Sequence, residues 1–257
     1  MRTRLTRRWL GIGVAALIAA VAYGQGIYWE SMSSSGGETP QKSFAIPKMF
    51  KHVDDNEDHV MIVRLDREMM YAVDMQKKTY WQMTFAEMEA MMREASAKMD
   101  AAMAEMQESL KNMPPEQRKA VEQMMGKQMM GLANGGKVDV TATGEMKAVV
   151  GYACRKYVAT RDGEELVTVW ATKDLKSFQN LQKDWKAFNK RLLSMNMSVG
   201  KPLMEAFQRF DGFPMETTIA GVNTVVTKVQ ERSIPEAEFE VPAGFKKEDP
   251  PRMDGER

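Results

Sequence analysis

Twelve of the chain's 25 methionines fall between Met83 and Met130, in MTFAEMEAMMREASAKMDAAMAEMQESLKNMPPEQRKAVEQMMGKQMM. Thioethers are soft ligands that select Cu(I). On a helix, side chains three and four apart are neighbours, so Met99, Met103 and Met106 form the best Cu(I) triplet. Methionine is also flexible and polarizable, and it suits a surface that adapts to varied apolar partners. On that reading Met88, Met91, Met92, Met99, Met103, Met106, Met124 and Met125 wall an apolar ligand cavity, joined by Trp170 from ELVTVWAT. A third reading is plain packing. Burying one methionine contributes roughly 1.5–3 kcal/mol, so the stripe alone could dock a helix. Histidine and cysteine, the usual companions of a copper site, are absent from the stretch. Met91, Met103, Met124 and Met130 lie off or at the edge of the main stripes and widen each apolar face, which favours a groove or partner surface.

Other chemistry has less support. The only histidines, His52 and His59, stand outside any recognisable nucleophile motif, and GxSxG, a phosphate-binding glycine loop and HExxH are all absent. Glu87, Glu89, Glu94, Glu105 and Glu108 fall on what should be a solvated helix face. The run Asp54, Asp55, Glu57 and Asp58 between the histidines lacks the alternate ligands and glycine of a calcium loop and reads as a solvated turn. No catalytic residue, metal or cofactor is expected.

The elements that must position these residues follow from periodicity. Met88, Met92, Ala95, Met99, Ala102, Met106, Leu110 and Met113 recur in steps of three and four, as one face of a helix. Thr84 with Glu87 forms a capping box at its start. Pro114-Pro115 stops it, since proline lacks the amide donor. A second helix then runs through Val121, Met124, Met125, Gln128, Met129 and Leu132 to Asn134-Gly135-Gly136, which makes an αα-hairpin. Before it come a strand over IYWESMSS (27–34), a strand from Phe50 to Val53, and a meander of VMIVRLD, MMYAVD and TYWQM. After it come strands from Val138, a hairpin turning at Asp162-Gly163, a helix through Leu175–Leu192, a short helix from Pro202, and two strands joined near Gly221. FEVPAGFKK closes the fold. The expected class is α+β, a curved antiparallel sheet with helices on one face.

The ends bear on location. MRTRLTRR carries four arginines, and the 15 uncharged residues WLGIGVAALIAAVAY follow. Ala22-Tyr23-Gly24 offers small residues where a signal peptidase reads. As a helix the run spans about 22 Å, short of the roughly 30 Å hydrocarbon core, which favours a cleaved signal over an uncleaved anchor. Arg7-Arg8 also fits a twin-arginine route. The expected organisation is a signal over 1–24, one domain over 25–247 and a polar tail over 248–257. Without the signal, 32 Lys and Arg face 35 Asp and Glu, with no basic patch for nucleic acid. Cys154, the single cysteine, permits no internal disulfide.

MIVRLDREMMYAVDMQKKTYWQMTFAEMEAMM, KNMPPEQRKAVEQMM, TGEMKAVVGYACRKYV followed by VTVWATKDL, and FEVPAGFKK resemble the DUF4412 family of exported bacterial proteins. The likeness spans roughly residues 60–247. It implies an architecture similar to LolA/LolB-like proteins, a half-barrel enclosing a cavity for lipid or acyl chains. Cys154 matches the family's GYxC position, for which no role is known. With no lipobox, the chain is expected in the periplasm, peripheral to membrane at most. The resulting expectation is a periplasmic, non-enzymatic protein that binds an apolar ligand. A Cu(I)-binding protein and an envelope protein-interaction module are the alternatives.

Overall fold

The computed structural model describes residues 23–111, 114, 138–194 and 201–251. Its twelve strands are β1 (Tyr23–Ser33), β2 (Gln41–Ile46), β3 (Met49–Val53), β4 (His59–Arg64), β5 (Met69–Asp74), β6 (Thr79–Thr84), β7 (Val138–Val149), β8 (Tyr152–Arg161), β9 (Glu164–Thr172), β10 (Phe213–Ile219), β11 (Val222–Pro235) and β12 (Lys246–Lys247). The described α-helices are α1 (Phe85–Lys111), α2 (Lys176–Ser194) and α3 (Lys201–Arg209), with a 3-10 turn at Glu236–Phe239. All strands join one open, curved sheet in the order β12-β6-β5-β4-β3-β2-β1-β11-β10-β9-β8-β7. Every pairing is antiparallel except the short β12–β6 contact.

The sheet is one open ladder with β12 and β7 at its edges. The expected meander is present, and one strand was missed. β2 is QKSFAI, whose Phe44 and Ile46 pack on one face while Ala45 packs on the other. With apolar contacts on both faces, its hydrophobicity does not alternate cleanly. β1 begins at Tyr23, two residues inside the segment expected to be a signal. FEVPAGFKK supplies only the end of the 3-10 turn and the two residues of β12.

Each face of the sheet carries a core. One gathers Ile27, Ala45, Phe50, Val63, Phe85, Phe213 and Met215 beneath Phe178 and Leu181 of α2. The other gathers Ile46, Met49, Val60, Ile62, Val73 and Ile234 under Phe239, with Val241 and Phe245 packed beside it. A third cluster seats Ala206 and Phe210, in and after α3, on Val138, Tyr157 and Val169.

Two carboxylates tether α2. Ser177 N donates to Glu231 at 2.5 Å, and Lys48 N donates to Asp184 at 3.0 Å. Glu231 sits at the helix's amino end, where the exposed amides favour an anion. The Thr84–Glu87 capping box is present at α1: Thr84 N donates to Glu87 at 2.8 Å, and Glu87 N to Thr84 Oγ1 at 3.1 Å.

α1 meets the sheet at β6. Met88 and Met92 pack against the first core, but Ala102, on the same stripe, is exposed. The stripe's regular spacing therefore does not place its whole length on the sheet. The second helix expected over 114–133 lies outside the described residues, apart from Pro114.

Candidate functional site: an apolar trough across the sheet

Side chains of a strand alternate between faces, so cross-strand partners line up in rows. One row runs Trp29, Ser43, His52, Met61, Ala72, Trp81 from β1 to β6. Beside it runs Ile27, Ala45, Phe50, Val63, Met70, Met83. α2 covers part of the second row. The Phe50 ring meets Trp185 edge-on at 5.4 Å and stacks with Phe188 at 6.1 Å between centroids. Trp29 meets Phe213 edge-on at 5.3 Å.

The described residues leave the first row open. A space of about 320 Å³ lies over it, walled by Trp29, Phe50, Met61, Val63, Met70, Trp185 and Phe188. Met61 is 42% exposed. Beneath α2 a small cavity of about 60 Å³ continues from the same Trp29, Phe50 and Trp185. At the other end a space of about 560 Å³ shares His52, Met61 and Met70 and extends to Ala72, Trp81, Asp74 and Glu248. Shared walls make the three one trough.

Its polar groups gather at the β5–β6 end, and several of them satisfy one another. His52 Nδ1 lies 3.0 Å from Ser43 Oγ, and burial holds its pKa below the ordinary imidazole value, against the pull of Asp54. Both flanking strands pair with β2 around the buried Ser43, whose hydroxyl lies against the imidazole. The contact gives each group a hydrogen bond that an apolar wall would otherwise deny it. His59 Nδ1 lies 3.0 Å from Asp54. Lys77 Nζ donates to Asp74 at 2.8 Å, and that bond holds the Asp74 carboxyl below its usual range. In the acidic turn, Asp55 accepts from Gly37 N, and Asp58 accepts from Gln76 at 2.8 Å. Among the described residues no three His, Cys, Asp or Glu side chains gather as a metal site.

The family model described as a domain of unknown function, DUF4412, matches residues 86–245. The chain belongs to that family. In this DUF4412 chain α2 lies inside the matched segment, whereas β1–β6, the floor of the trough, precede it. No curated protein matches the chain. A solved uncharacterized conserved protein from Thermus thermophilus is similar at 7% identity, over 88% of this chain and 91% of that one, with a TM-score of 0.45. PNGF-II, solved in two crystal forms, is similar at 12% and 10% identity over 88% of this chain, with TM-scores of 0.39 and 0.38. The chain spans 31% and 32% of those PNGF-II chains.

The residues expected to form the site are dispersed. Met88 and Met92 are half-buried against the first core, and Met91 is half-buried nearby on α1. Met99, Met103 and Met106 fall on α1 with side chains outside the described ones, and Met124 and Met125 lie outside the described residues. Trp170 pairs with Glu216 and Lys156, and Lys147 Nζ sits 4.4 Å from its ring centroid, away from the trough. The trough uses Met61 and Met70 instead. The turns Asp66-Arg67-Glu68 and Met75–Lys78 set the β4–β5–β6 register. The row Met61, Ala72, Trp81 could have been traced from those turns.

Proposed function

We propose that this DUF4412 chain is an exported, non-enzymatic binding protein that holds a lipid or acyl chain in the trough. The observation that carries the reading is the open space of about 320 Å³ walled by aromatic and aliphatic side chains beside α2. Ligand sites are typically concave, mostly apolar and about 300–1,000 Å³. An acyl chain held between a sheet and a covering helix is what the LolA-like resemblance implies, carried here on an open sheet. The basic, then apolar, amino end supports export. Among the described residues no helix is long and apolar enough to cross a membrane.

A buried methylene contributes about 0.8 kcal/mol, so about ten of them give roughly 8 kcal/mol before ordering costs, which sets micromolar affinity as the ceiling. Native mass spectrometry of protein purified from its own host should show a bound lipid. Met61→Glu places a charge on the exposed wall and should release it while leaving the fold intact. A clean apo mass at full native stability would overturn the reading.

A further inference from the structure

We propose that the trough takes a single-chain amphiphile in one orientation, with its tail beneath α2 and a cationic head at the β5–β6 end. The ligand class is then an amine- or quaternary-ammonium-bearing amphiphile. The inference rests on the apolar-ligand reading above and adds head charge and direction.

The trough changes character along its length. At the α2 end it closes into a small cavity whose walls, Ile27, Phe178, Leu181 and Phe213 among them, are wholly apolar. At the other end the wall carries the carboxylates of Asp54, Asp74, Glu248 and Asp249 against one ammonium, that of Lys77. That ammonium is bonded to Asp74. Burial lowers the His52 pKa, and His59, which also lines this end, is bonded to Asp54.

Residues 246–251 build this mouth. β12 pairs with β6, and Glu248 N donates to Tyr80 O at 2.8 Å, which lays residues 248–251 along the sheet edge. The Glu248 and Asp249 side chains are exposed, and neither makes a side-chain hydrogen bond among the described residues, although the Glu248 charge acts through space on Lys77. Trp81 shares the wall, and indole is the best aromatic face for a cation. An anionic head would meet like charge there, which interfaces select against.

The dimensions agree. Five inter-strand steps of about 4.8 Å carry the row from β1 to β6, about 24 Å in all. One leaflet's share of a roughly 30 Å hydrocarbon core is about 15 Å, which leaves room for a head group at the mouth.

The test titrates the full chain with dodecyltrimethylammonium, dodecyl maltoside and dodecyl sulfate below their micellar concentrations, read by tryptophan fluorescence and calorimetry. The expected result is at least fivefold tighter binding of the cation than of the neutral probe, with the anion weakest. In the Glu248→Gln, Asp249→Asn double variant that preference should collapse while maltoside affinity holds. Equal or reversed order among probes that bind would overturn the head-group assignment and leave the apolar reading standing. A cation preference that survives in the double variant would overturn the placement of the head. If none of the three binds, both readings fall.

Discussion

Arg64 is only 3% exposed, and its guanidinium donates twice to Asp66, at 2.9 and 2.7 Å, and also to Glu240. Arg67 donates to the same Glu240 at 2.8 and 2.9 Å, so the pair ties the carboxyl end of the chain to β4. The Arg64 bonds hold Asp66 below its usual carboxylate range. Burial pushes Glu240 up, but the two arginines outweigh it and leave it depressed as well. A depressed carboxyl contributes stability above its unfolded pKa and loses it as pH falls through the folded value. Arg64→Leu should therefore cost about 2 kcal/mol near neutral pH, the order of a charge-assisted bidentate bond. The gap from the parent should narrow as pH drops below about 4. Urea unfolding at a series of pH values checks this, and a gap constant with pH would count against the ion pairs as its source. The Glu240 link was not legible beforehand, because Arg64 and Glu240 lie far apart in sequence and only packing of the segment after β11 brings them together.

Elements were more legible, since turn and cap chemistry is local. Asp162-Gly163 makes the expected hairpin turn with φ of 53° and 84°, and Ala220-Gly221 repeats it at 49° and 82°. Val150-Gly151 does the same at 51° and 79°, although a β-branched residue is a poor fit for positive φ. Val150 is exposed and packs little there. Val150→Asn should raise stability by about 0.5–1 kcal/mol, seen as a higher urea midpoint at unchanged slope, because Asn-Gly suits this turn. An unchanged or lower midpoint would mean that valine's contacts outweigh its backbone strain. Gly26 shows the opposite case, a glycine no turn signal reveals. A Cβ there would stand 2.2 Å from the Ala45 carbonyl oxygen across the β1–β2 pair. That need arises from how closely two strands approach, so it cannot be seen in either strand alone.

At the scale of the whole molecule, the first strand and the segment from β11 onward complete the sheet together. β1 pairs along β11 from Tyr23↔Pro235 to Ser33↔Thr224, and the residues after β11 cover the second core. Phe239 is fully buried there, so Phe239→Ala should cost about 3–5 kcal/mol although it lies outside every long strand and helix. Thermal unfolding should show one cooperative transition at lower Tm, and a mere local loosening would argue that the two faces are energetically separate. The sequence by itself determined the period of most described strands, the α1 cap and the hairpin turns, because those depend on neighbours within a few residues, and with them the curved antiparallel sheet carrying a few helices. It could not say which rows of side chains would face a gap. The methionine stripe was the most conspicuous pattern, yet of its described side chains only those near the start of α1 meet the core. The trough is built from a few residues of each of six strands and one helix, each unremarkable in its own segment. Only the cross-strand register and the seating of α2 bring them together, and those are properties of the assembled sheet.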